Sequence, residues 1–109
     1  MKKKDVTIEF DNAEYMALEK FCELRHMPKS EICREFILKG MEDLEMELAE
    51  TGTITINIRH SFEIFGESER AHVYLLPKDL ERFNRLVKFT GLSYSKLTRY
   101  WMIPTLYQL

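Results

Sequence analysis

Glycine, proline and cysteine are all scarce in this chain of 109 residues, at four, three and two. The four glycines are scattered, so no Gly-rich loop can cradle a phosphate. The two cysteines, Cys22 and Cys33, have no second Cys or His pair at ligand spacing, which argues against a metal site or a disulfide scaffold. They read as reduced, buried thiols of a cytoplasmic protein. No apolar run approaches the roughly 20 residues that cross a bilayer, and the lysines at positions 2–4 precede no apolar stretch of a leader. No carboxylate pair, Ser or Cys nucleophile with a placed His, or other catalytic constellation stands out. An enzyme, a cofactor site and a small-molecule pocket are therefore not expected. Net charge is also low, at −2, but it is unevenly spread. Residues 1–45 carry 8 basic and 11 acidic side chains, residues 46–68 carry 1 and 4, and residues 69–109 carry 7 and 3. A basic last third thus follows two acidic segments.

What the chain does have is the same unit twice. Displaced by 65 positions, residues 5–38 lie over residues 70–103 without a gap. Apolar residues meet apolar ones: Ile8 with Val73, Phe10 with Leu75, Leu18 with Phe83, Phe21 with Leu86, and Cys22 with Val87. Leu24 meets Phe89, Met27 meets Leu92, Ile32 meets Leu97, and Phe36 meets Trp101. Ser30/Ser95 and Arg34/Arg99 are identities. A repeat of chemical class at fixed offset implies one structural unit used twice. About forty residues are marginal for independent folding, so the two copies are expected to share a core. The organisation read from this is a first repeat at 1–45, a connection at 46–68 and a second repeat at 69–109.

Within the first copy, Val6, Ile8 and Phe10 alternate with Asp5, Thr7 and Glu9, the period of a half-buried strand. Asp11 with Glu14 offers a capping box. Tyr15, Leu18, Phe21, Cys22 and Leu24 then trace a helical stripe to about Arg25. Pro28 suits the first turn of a second helix bearing Ile32, Cys33, Phe36, Ile37, Met41 and Leu44 and reaching as far as Ala49 despite Gly40. In the second copy Ala71, Val73 and Leu75 alternate with Arg70, His72 and Tyr74. Pro77 opens a helix carrying Leu80, Phe83, Leu86 and Val87, and Gly91 closes it in a left-handed cap. Because His26 stands where the second copy has Gly91, the first turn is expected to be less regular. Ser93 caps the last helix, which holds Leu97, Trp101 and Met102 and which Pro104 is expected to end or kink. An apolar tail, Leu106, Tyr107, Gln108 and Leu109, is expected to cover the core. Residues 53–58 and 62–65 alternate like one or two extra strands.

A short amphipathic strand followed by two helices, twice over two-thirds of the chain, resembles the ribbon-helix-helix family of Arc- and methionine-repressor-like DNA-binding proteins. The resemblance implies a mainly α fold with a short β-ribbon, in which the two repeats form an intramolecular pseudo-dimer. It also implies that the outward side chains of the ribbon enter the major groove. In this sequence those are Asp5, Thr7, Glu9, Arg70, His72 and Tyr74. Phosphates would be held at the starts of the second helices, at Lys29-Ser30 and Tyr94-Ser95, and by Lys3 and Lys4. Arg34 and Arg99 would each serve a phosphate or a structural ion pair. Arg70 suits guanine, whereas Asp5 and Glu9 are unusual against a polyanion.

The expected function is therefore a sequence-specific, double-stranded DNA-binding transcriptional regulator with an asymmetric ribbon, acting as a repressor. Self-association is expected through residues 53–65 or the C-terminal tail. The competing class is a protein-interaction module on the same scaffold, such as an antitoxin or phage-encoded inhibitor. It is favoured by overall acidity and by Asp5 and Glu9.

Overall fold

The structure is a computed structural model in which residues 4–56, 63–64 and 66–108 are described. Lys3, Leu109 and most of the expected extra strands, at 57–62 and 65, lie outside the described residues. The described elements run in the order β1 (Lys4–Asp11), α1 (Asn12–Arg25), α2 (Lys29–Thr51), β2 (Ser68–Leu75), α3 (Pro77–Thr90) and α4 (Tyr94–Leu106). This is a mainly helical fold with one two-stranded antiparallel sheet.

Local chemistry explains most of these boundaries. Asp11 accepts from the Glu14 N–H at 2.7 Å, and Glu14 returns a carboxylate oxygen to the Asp11 N–H at 2.9 Å, so the capping box is complete. Pro77 is the first residue of α3, and the Ser93 hydroxyl accepts from the Lys96 N–H at the start of α4. Gly91 ends α3 in the left-handed region at φ 73°. His26 ends α1 in that same region at φ 54°, so the first turn takes the same left-handed cap with a non-glycine residue. Histidine tolerates this conformation better than branched residues do.

β1 and β2 present Val6, Ile8, Phe10, Ala71, Val73 and Leu75 to the helices, all buried. A single cluster of buried side chains joins this face of the ribbon to Leu18 and Phe21, to Ile32, Ile37 and Met41, to Phe83 and Leu86, and to Leu97 and Met102. Each such aliphatic or aromatic side chain contributes about 1.5–3 kcal/mol when fully buried. The Arg82 guanidinium ties α3 to α2 through Glu45 (3.0 Å from Nε to Oε2) and also holds Asp79 at 3.2 Å. Its hydrogen bond keeps the Glu45 carboxyl below the usual carboxylate range, against the opposing pull of burial.

Three expectations are corrected. Pro104 does not end α4: the helix runs on to Leu106, which is buried in the core, while Tyr107 is exposed. A proline this near a helix end removes one internal hydrogen bond only, and the burial of Leu106 outweighs that. Residues 53–56 and 63–64 form no strand. The alternation at 53–56 instead serves an extended segment whose Ile54 and Ile56 pack against the core. It is tied to α2 by the Thr55 N–H, which donates to Glu47 Oε1 at 2.7 Å. The third correction concerns Leu24 and its counterpart Phe89. Leu24, expected in the core stripe of α1, is exposed at 62%, and Phe89, matched to it as apolar by the repeat, is exposed at 56%.

Both thiols are buried. Burial pushes Cys33 up to about 12, and it also raises Cys22, where nearby Lys29 partly offsets it. Since the thiolate is the nucleophile, alkylation at pH 8 should be slow at both positions in the native protein and complete in denaturant. Mass spectrometry of the two reactions checks this. Fast native labelling of Cys33 would contradict its seclusion.

Candidate nucleic-acid interface

The register of the ribbon brings the six expected base-reading residues onto one face. Asp5 lies opposite Tyr74, Thr7 opposite His72 and Glu9 opposite Arg70. The pairing is centred so that Thr7 faces His72, its own counterpart at the 65-residue offset. Alternate side chains, odd-numbered in β1 and even-numbered in β2, therefore point away from the helices, as the period of two requires.

The basic residues of this face are tied to acids across the ribbon. Arg70 donates from Nε to Glu9 Oε1 at 3.2 Å, and its Nη2 lies 3.2 Å from the same oxygen. His72 Nδ1 is 3.2 Å from Asp5 Oδ2 and 3.4 Å from the Thr7 hydroxyl. Each base supplied by β2 thus meets an acid supplied by β1. Tyr74 has no such tie among the described residues and is half-exposed at 50%. The pairs are solvent-exposed, so each is worth about 0–1 kcal/mol and can be exchanged for another partner.

The two helix starts beside the ribbon differ more than the repeat suggests. At α2, Ser30, Glu31 and Arg34 line a concavity of about 160 Å³ together with Tyr74 of β2. Arg34 is half-buried, and no described residue hydrogen-bonds or ion-pairs with its guanidinium. Lys29 is drawn towards α1, with Nζ 3.7 Å from Glu19 Oε2 and 5.3 Å from the centre of the Tyr15 ring. At α4 the Ser95 hydroxyl accepts the Glu9 N–H at 2.9 Å. The Tyr94 ring packs against Phe83 with centroids 4.8 Å apart, and its hydroxyl donates to Asn84. Arg99, the counterpart of Arg34, is buried and forks onto Glu14, with Nε to Oε1 at 2.8 Å and Nη2 to Oε2 at 2.9 Å. Lys4 is exposed at the outer end of β1.

The identical arginines part company for a reason that can be traced. Glu14 and Asp79 are counterparts at the 65-residue offset, so the repeat alone predicts that Arg34 meets Asp79 as Arg99 meets Glu14. Arg82, however, stands one turn along α3 and captures Asp79. The matching position of the first copy is Ala17, so Glu14 has no competing base one turn along its own helix. Arg34 is left open beside Ser30 and Tyr74.

Comparisons with known protein families, curated proteins and solved structures give no match. No helix among the described residues is long and apolar enough to cross a membrane. No group of three or more His, Cys, Asp or Glu that could hold a metal ion occurs among them either.

Sequence reasoning singled out the ribbon residues and Ser30, and the fold brings them to one side. It did not single out Arg34 together with Tyr74, which come from different repeats and meet only through packing of α2 on β2. The one available signal was the unequal neighbours of Glu14 and Asp79.

Proposed function

We propose that this chain is a DNA-binding regulator built as a single-chain ribbon-helix-helix pseudo-dimer and acting in the cytoplasm. Support for the pseudo-dimer comes from the twofold recurrence of strand, helix and helix, and from a register centred on Thr7 and His72. The observation that carries the DNA reading is the open guanidinium of Arg34. It stands with the Ser30 hydroxyl at the start of a 23-residue helix, directly beside the outward-facing Tyr74. A phosphate there would meet a helix N-terminus, a hydroxyl and a planar cation together. Arg70 would exchange Glu9 for the O6 and N7 of a guanine, and His72 and Tyr74 would reach neighbouring edges or phosphates. The second copy thus supplies the base readers and the first supplies the better phosphate grip. An asymmetric site follows.

A second reading, a protein-interaction module, is favoured by the pairing of both β2 bases with β1 acids, which leaves the ribbon without excess positive charge. Titration of a labelled mixed-sequence duplex over a salt series separates the two. The DNA reading expects binding at about 50 mM salt that weakens steeply by about 200 mM. Arg34→Ala should lower the salt slope by about one, and Glu9→Gln should raise affinity by removing a carboxylate from the polyanion. Absence of binding at about 50 mM salt, where phosphate attraction is strong, sinks the DNA reading in favour of the second.

A further inference from the structure

Leu24 and Phe89 are both apolar, occupy the same place in the two copies, and are both exposed, at 62% and 56%. The core does not account for either of them. Leu24 stands in the last turn of α1 and Phe89 in the last turn of α3. Met16, two turns before Leu24 on the same helix, is more exposed still at 69%. Two large apolar side chains exposed at equivalent places in the two copies are candidate anchors of an interaction surface.

The charges beside them indicate what covers this surface. Glu23 precedes Leu24 and Lys88 precedes Phe89, so the two faces carry the same apolar residue class next to opposite charges. Both charged side chains are exposed, and neither has an ion-pair partner among the described residues. A contact of α1 with a second α1 would set Glu23 near Glu23, and a contact of α3 with a second α3 would set Lys88 near Lys88. Only α1 against α3 joins Leu24 to Phe89 and Glu23 to Lys88. Where the two helices cross antiparallel, Lys20 and Arg85, one turn back on each helix, lie at opposite ends of the contact.

We infer that the outer face of α1 on one copy docks against the outer face of α3 on a second copy, with Leu24 on Phe89 and Glu23 beside Lys88. The contact is heterologous, so each molecule keeps one unused half of it and copies add head to tail rather than closing into a dimer. It stands without reference to the proposed function, because no nucleic acid takes part. On DNA it would set neighbouring molecules in one direction along the duplex.

Sedimentation of the full chain from about 10 µM to about 1 mM, the range for a small contact, tests this without DNA. The weight-average mass should climb past the dimer without a plateau and fall back on adding salt, which screens the Glu23–Lys88 pair. Leu24→Ser and Phe89→Ser should each give a monomer, while an equimolar mixture of the two should form a heterodimer and stop there. Glu23→Lys should weaken association, and adding Lys88→Glu to it should restore the mass. These positions are exposed, so unchanged thermal melting is expected and would verify that each variant is folded. A chain monomeric throughout the range overturns the inference. So does association lost in Leu24→Ser but kept in Phe89→Ser, which would mean a closed contact of α1 with α1.

Discussion

Replacing Glu14 with alanine is expected to destabilise the fold by about 3–5 kcal/mol, the cost of leaving a buried charge without its partner. Glu14 and Arg99 are each about 2% exposed, and the fork between them joins the first turn of α1 to the middle of α4. The same carboxylate closes the capping box through the Asp11 N–H, so its loss also frees a helix donor. Against a total stability of roughly 5–15 kcal/mol for a domain, such a change lowers the melting temperature by on the order of 15 °C or more. Arg99→Met in the same chain should recover most of the loss, because an apolar side chain of similar length needs no counter-charge. Urea unfolding of the two single variants and the double measures both values. A loss below about 1 kcal/mol, typical of an exposed pair, would contradict the sealed environment of this one.

Gly40→Ala should also destabilise, although alanine is the better helix former by about 1 kcal/mol. Gly40 lies buried inside α2, and the face of Trp101 from α4 rests on its backbone. A Cβ at this position would fall 2.2 Å from Cδ2 and 2.5 Å from Cγ of the indole, far inside contact distance. Trp101 is itself held by Phe83, with centroids 5.9 Å apart, so the ring cannot retreat without disturbing the core. Overpacking of this kind costs about 1–3 kcal/mol. Trp101 is the single tryptophan of the chain, so its fluorescence reports the displacement directly. The emission should shift to the red as the indole moves towards water, and Gly40→Ala with Trp101→Leu should regain part of the lost stability. A variant that is more stable, with unchanged emission, would mean that helix propensity rather than packing governs this position.

Gly40 shows where reading the chain residue by residue stops. In sequence it is a weak point that a helix must survive. In the fold it is the floor of an aromatic packing site whose other half comes from the second copy, 61 positions along. By contrast, Asp11 with Glu14, Pro77, Ser93 and Gly91 act within a few residues of themselves, and their caps and turns stand where the residue types demand them. The alternation at Val6, Ile8, Phe10 and at Ala71, Val73, Leu75 likewise settles which face of each strand is buried. The same alternation at 53–56 does not make a strand, because period two describes side chains and says nothing about a hydrogen-bonding partner. The Thr53 and Thr55 amides find side chains of α2 instead.

Local chemistry and the 65-residue offset were thus enough for the strand-helix-helix order within each copy, the helix starts, the core face of the ribbon and the grouping of its six outward residues. Packing alone decided that Leu24 and Phe89 stand in solvent, that Arg99 is sealed on Glu14, and that Arg34 is open beside Tyr74. The offset records what each copy is made of, whereas exposure and pairing depend on what the other copy brings against it. Arg82 opposite Ala17 is enough to send two identical arginines to different fates. A side chain's charge is local, but the choice between a buried ion pair and an open cation is made by whichever neighbour reaches the carboxylate first.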